Sequence, residues 1–348
     1  MLILKIAGVV AIVILLLLVA GLAFVIRWFR KIVKQATDQP GCPPCRVHPQ
    51  PEPNPKWRDE VKMLQCASEF TALGFEKIGA FTVPEMPGMQ MLAFVHPTER
   101  LYAAIYDYPA IGHAFDINCI FEDGAGLSAS SKGTGKNLDE RPFHPILWVG
   151  DDCVATVLNA FKQHPQPAPR VPVTADQFVA QFERDHAAGM NWRMKKGGVS
   201  REEIRRHIVA KGEPVDEETV EAIYKNRREA HILELQKACL AQYLDDEQLL
   251  AAEWERIQDR TFAIAETLEP EEIIEAIESV VTLDEEQRHV LNQLRRGNAE
   301  TALDLIDEII LQNTAGLCLQ KTGEVQEPVR AYILLAPSRE AATKQLAA

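Results

Sequence analysis

The longest uninterrupted apolar run in the chain is Ile6 to Ile26, 21 residues without a charge. As a helix this run rises roughly 30 Å, the thickness of a bilayer core. Lys5 precedes it. Arg27, Arg30, Lys31 and Lys34 follow, with Trp28 and Phe29 at the interfacial position. The excess of positive charge after the run predicts an uncleaved single-pass transmembrane helix within 1–35. The lipid bilayer is then a partner through residues 6–26, and the C-terminal domains lie in the cytoplasm. A secretory signal is the competing reading, with Gly21-Leu22-Ala23 as a small-residue cleavage site. The apolar run is longer than the ~7–15 residues of a signal core, and the segment before it is hardly basic.

Further along, the pattern changes period. Trp57 to Leu73 has helical spacing. Met91–His96, Leu101–Asp107 and Phe115–Glu122 are rich in strand formers. They are separated by His96-Pro97, Tyr108-Pro109 and Asp123-Gly124, which are turn signals. Phe115, Ile117, Cys119 and Phe121 alternate with Asp116, Asn118 and Glu122, which predicts a strand with one apolar and one polar face. Short connections favour an antiparallel meander. Ile146–Val149 is a further strand, and Asp151–Gln163 a helix. An α+β domain over 57–164 follows, its end helices covering the apolar face.

The remainder reads as helical. Thr174 with Gln177, Ser200 with Glu203, and Thr282 with Glu285 fit capping boxes. Asp216 and Asn298 suit N-caps and Pro270 a first turn. Leu250, Trp254, Ile257, Thr261, Ile264 and Leu268 fall on one helical face. These signals predict an all-α bundle over 174–312. Pro-rich stretches at 36–56 and 165–173 read as linkers, and 313–348 as a tail with a strand at 331–336. The fold class expected is therefore α+β: an N-terminal transmembrane helix, an antiparallel-sheet domain with flanking helices, then the bundle.

Composition adds charge to this picture. The net charge is −13, and 201–312 holds 13 basic against 28 acidic residues, so the acidity belongs to the helices. That balance argues against a nucleic-acid partner. It leaves two readings of the helices, a solvated surface or a docking face for a basic protein partner. Seven cysteines are an odd count in a long chain, which excludes a disulfide scaffold.

Cys42-Pro-Pro-Cys45 with His48 is the one metal-like motif. It supplies half of a tetrahedral zinc site, which a second chain would complete. Lipidation of the two cysteines, or no site at all, are the other readings. Lys132-Gly-Thr-Gly-Lys136 lacks two positions of a phosphate loop, since Ser130 and Asn137 stand where Gly and Ser or Thr belong. Tyr102, Tyr106 and Tyr108 share a strand face, with Asp116 and Asn118 beside them. They form either a ligand platform or a face that the helical segment covers. Arg193, Lys195 and Lys196 form a basic patch that faces anionic lipid or pairs internally.

The architecture predicts a membrane-anchored, non-enzymatic scaffold or sensor. The alternative is an enzyme of unfamiliar type on the polar sheet face, near Asp107, His113, Asp116 and Arg141.

Overall fold

Strand alternation builds a sheet whose two faces are both buried. In the computed structural model, the residues described are 42–109, 111–133, 135–246, 248, 250–258, 261–265, 268–280, 283–296, 317–322 and 330–335. The strands are β1 (Gln50–Pro51), β2 (Glu76–Thr82), β3 (Gln90–His96), β4 (Leu101–Tyr108), β5 (Gly112–Phe121), β6 (Gly126–Ser130) and β7 (Ile146–Trp148). They lie side by side in chain order, all antiparallel except β6 with β7. An eighth strand, β8 (Arg170–Val171), pairs with the end of β5.

One face packs on helices α1 (Glu60–Ala72) and α2 (Val154–Gln163). Asp59 starts α1 by accepting the Lys62 N–H, so one orphan donor of the first turn is satisfied. Phe70 of α1 sits at the centre, its ring 5.0 Å from Phe94 and Phe75 and 5.4 Å from Phe115. Val154, Val157, Leu158 and Phe161 form the buried stripe of α2. Each such side chain contributes about 1.5–3 kcal/mol through burial. The other face carries Phe81, Met91, Ala93, Val95, Tyr102 and Ala104, and it meets Phe178 and Phe182 of α3 (Phe178–Lys195).

Where they are described, the stretches expected to be linkers pack on the fold at a few positions. Cys45 and Val47 are buried, and β1 pairs with β2. Across 165–173, β8 pairs with β5, and Arg170 bonds the Glu99 carbonyl at 2.8 Å. Proline is tolerated here because these are edge strands, where a missing N–H breaks no ladder. Helix α3 packs on the sheet's second face.

Helices α4 (Arg201–Ala210), α5 (Glu217–Asp246), α6 (Ala251–Ile257), α7 (Pro270–Val280) and α8 (Glu285–Arg295) follow. Ser200 and Glu203 form the expected reciprocal cap of α4. At Thr174 only half of the expected box forms: its N–H bonds the Gln177 side chain, and the helix begins at Phe178. The box before α8 is Asp284 with Gln287; Thr282 and Asn298 lie outside the described residues.

The all-α expectation is corrected. The single helix read across Leu250–Leu268 ends as α6 at Ile257, and Thr261–Ala265 is strand β9. It pairs with β11 (Arg330–Leu335), which pairs with β10 (Leu317–Thr322), giving a second, three-stranded antiparallel sheet. Thr261, Phe262 and Ile264 are strand formers, and β11 supplies the ladder partner that a helical reading ignores.

The membrane expectation is also corrected. Among the described residues no helix is long and apolar enough to cross a membrane, and the run 6–26 lies outside them.

Gly198 docks the α3–α4 turn on α5. Its φ is +90°, and a Cβ there would stand 3.0 Å from the buried His231 ring. Gly198→Ala is therefore expected to cost about 1–3 kcal/mol, read as a lower urea midpoint with an unchanged slope.

Candidate functional site

Register places the polar groups on the α3 side of the sheet. Ala104 of β4 faces Asp116 of β5, Asp116 faces Ser130 of β6, and Ser130 faces Trp148 of β7. One row thus crosses four strands. Tyr102 faces Asn118, and Asn118 faces Ser128, in the next row. Tyr106 faces Ala114 on the other side of Asp116. Small side chains at Ala104 and Ala114 leave the centre of this face to the longer polar ones. Asp116, Tyr106 and Asn118 remain half-buried there.

Asp116 accepts hydrogen bonds from the hydroxyls of Ser130 and Tyr106. Burial nevertheless pushes its carboxyl from 3.8 up to about 6, because the two hydroxyl bonds only partly offset the lost hydration. Asp185 of α3 faces the same region. It accepts the Tyr102 hydroxyl, and Gln181 Nε2 at 2.9 Å. Burial raises this carboxyl too, opposed by Tyr102, Gln181, His144 and Arg141. Both tyrosine hydroxyls are held well above their usual range, first by burial and then by the neighbouring carboxylates.

His144 and Arg141 come from the β6–β7 connection. His144 lies on β6 where Gly126 leaves room: a Cβ there would stand 2.8 Å from the imidazole. Burial lowers the His144 pKa, so the ring is neutral at pH 7. Between them, Phe143 has φ +61° and is 80% exposed, an unfavourable backbone state for a bulky residue. Trp148 Nε1 is buried with no acceptor among the described residues. The region therefore combines two raised carboxylates, a strained connection and an unsatisfied donor.

Of the predicted site residues, Tyr102, Tyr106, Asp116 and Asn118 share this region. Tyr108 sits at the strand end, packed by Val47, Val83 and Met89. The face is not an open platform: Tyr102 is 5% exposed because α3 lies over it. Helix α3 covers this face. The four-residue enzyme constellation is split between faces. Arg141 acts on Asp185 of α3, whereas Asp107 is on the α1 side, held by Arg58 through its N–H at 2.6 Å and Nε at 2.7 Å. His113 faces Asp107 in register, also away from Asp116.

Asp185, Ser130 and Trp148 were not among the candidate site residues read from the sequence. Asp185 alone had a usable signal, since Phe178, Gln181, Phe182 and Asp185 follow helical spacing.

The zinc constellation does not assemble. Cys45 Sγ donates to the Glu234 carbonyl at 3.5 Å, whereas His48 is bonded to Glu85 at 2.9 Å. Among the described residues no group of three or more His, Cys, Asp or Glu is placed to hold a metal. The basic patch pairs internally: Arg193 bonds Glu203 at 2.6 Å, Lys196 contacts Asp139 and Glu203, and Lys195 is exposed. Lys132, from the loop with partial phosphate-binding character, pairs with Asp152 at 3.2 Å.

A cleft of about 270 Å³ opens elsewhere, on the α1 side, lined by Pro53, Trp57, Met63, Leu64, Lys77 and Leu92. Its walls are mostly apolar, and it holds none of the titratable groups described above. Comparison with protein-family models, with curated proteins and with solved structures finds no match to this chain.

Proposed function

We propose that the chain is a non-enzymatic ligand-binding sensor, and that the α3-covered sheet face takes a small amine-bearing molecule. The observation that carries this reading is Asp116. A carboxyl supported, among the described residues, only by the neutral hydroxyls of Ser130 and Tyr106, and pushed to about 6 by burial, lacks the charge compensation that an ammonium group supplies. Tyr102 and Tyr106 add aromatic surface suited to a cation. Asp185 offers a second acceptor on the opposite wall.

The same value supports a second reading. A carboxyl near 6 is suited to general acid–base chemistry at neutral pH, with Asp116 as the proton carrier.

A thermal-shift screen of the full chain at pH 8 tests the first reading, using panels of small primary amines, guanidines and carboxylic acids. Amines are expected to raise Tm. At a hundredfold excess over Kd the stabilisation is about 2.7 kcal/mol. The shift is expected to disappear in Asp116→Asn, and to fade in the wild type below pH 6 as the carboxyl takes up its proton. Stabilisation by carboxylic acids alone, or an amine shift that survives in Asp116→Asn, contradicts this reading. Recovery of a chemically altered amine by mass spectrometry favours the second.

A further inference from the structure

Five sulfur atoms gather where the Cys42-Pro-Pro-Cys45 turn meets α3 and α5. Cys45, Met190 and Met194 are buried in one cluster with Leu235, and Cys42 and Cys239 pack against it. Cys45 Sγ is 3.6 Å from Met194 Sδ. The cysteines are free thiols. His48 is turned away to Glu85 at 2.9 Å, and His186 Nε2 donates to the Pro44 carbonyl at 2.7 Å.

We propose that Cys42, Cys45 and Met194 form a site for one copper(I) ion, with Met190 and Cys239 excluding water around it. Thiolate and thioether donors select copper(I), whereas zinc(II) favours sites completed by imidazole or carboxylate or built from four thiolates. The spacing fits. With metal–sulfur bonds of roughly 2.3 Å, two sulfurs 3.6 Å apart subtend about 100° at a shared metal. Pro43 and Pro44 fix two backbone φ angles between the cysteines, so the pair is held in place before metal arrives. Cys42 is half-buried rather than sealed, which gives the ion its way in.

Arg46 lies beside Cys45, its Nη1 on the Cys45 carbonyl at 2.8 Å. Burial and the Glu234 carboxylate push the Cys42 thiol up to about 11, and Arg227 acts in the opposite sense. Binding forms two thiolate–copper bonds and one thioether–copper bond. Both thiol protons leave to solvent, and copper enters and stays as copper(I), so no electron moves. The copper and its two thiolates carry one net negative charge, facing the Arg46 and Arg227 guanidiniums and the Glu234 carboxylate.

The test is an anaerobic titration of the full reduced chain with copper(I), in competition with a chromogenic copper(I) chelator. One equivalent is expected to be held against the chelator. Cys42→Ser and Cys45→Ser are each expected to lose it. Met194→Leu conserves volume and is expected to fold normally by circular dichroism, yet to bind at least tenfold more weakly. Zinc(II) in equimolar amount is expected not to displace the ion. Three results overturn the proposal: no copper retained by the wild type, an equivalent retained by the Cys42→Ser, Cys45→Ser double variant, or unchanged affinity in folded Met194→Leu. The second means that other sulfurs bind, and the third that Met194 is packing alone and the three-sulfur site does not exist.

Discussion

Asp116→Asn is expected to stabilise the folded chain at pH 8, by about 2–3 kcal/mol. A carboxyl whose pKa rises from 3.8 to about 6 on folding holds its proton more tightly in the folded state. Its favourable contribution is fully present below about pH 4 and is lost as pH rises through 6. Above that, the folded chain carries a charge that burial disfavours. Asparagine keeps an acceptor for the Ser130 and Tyr106 hydroxyls and carries no charge. The gain should therefore shrink towards zero at pH 4, where the wild-type carboxyl is neutral. Urea denaturation of both proteins at the two pH values measures it. A residue that stabilises the fold when replaced is a mark of functional placement. Destabilisation by Asn at pH 8 would mean that a cation already compensates Asp116.

The second large effect is at Glu203, whose side chain is fully buried. Burial opposes its ionisation, but three groups outweigh that cost and hold the carboxyl below its usual range. These are the N–H groups of Ser200 and Asp139, both at 2.7 Å, and the Arg193 guanidinium at 2.6 Å. Glu203→Ala removes the partner of all three and leaves Arg193 uncompensated in a mostly buried place. The expected cost is about 3–5 kcal/mol at pH 7. Because the folded pKa is depressed, the carboxylate's contribution is present above the unfolded value of 4.5 and is lost as pH falls through the folded one. The penalty should therefore narrow in acid. Glu203 also anchors Asp139, in the connection that carries Arg141 and His144. The variant should consequently weaken any amine-dependent thermal shift. A cost under 1 kcal/mol would show that solvent, not Glu203, satisfies these donors.

Alternation made the sheet legible. Phe115, Ile117, Cys119 and Phe121 face the α1 and α2 core, as period two requires, and Asp116 and Asn118 face away. The same rule put Tyr102 and Tyr106 near Asp116. The covering helix that makes this a site was not legible, because Asp185 and Tyr102 are 83 residues apart and no local signal joins them. Proline misled in both supposed linkers, since Pro51 in β1 and Pro169 beside β8 sit at edges where the missing N–H costs little. Helical spacing misled at Leu250–Leu268: a 4, 3, 4 repeat marks a buried face, but whether Thr261–Ala265 is strand depends on β11, distant in sequence. The sulfur cluster has the same origin, with Cys45 and Met194 149 residues apart.

The central claim is that Asp116 is an uncompensated carboxyl awaiting a cation. Carboxyl-carbon NMR of aspartate-labelled chain, assigned with Asp116→Asn and followed from pH 3 to 9, measures its titration directly. The expected midpoint is about 6, moving downward when a stabilising amine is added. A midpoint near 3.8 that does not respond to amines would contradict the claim.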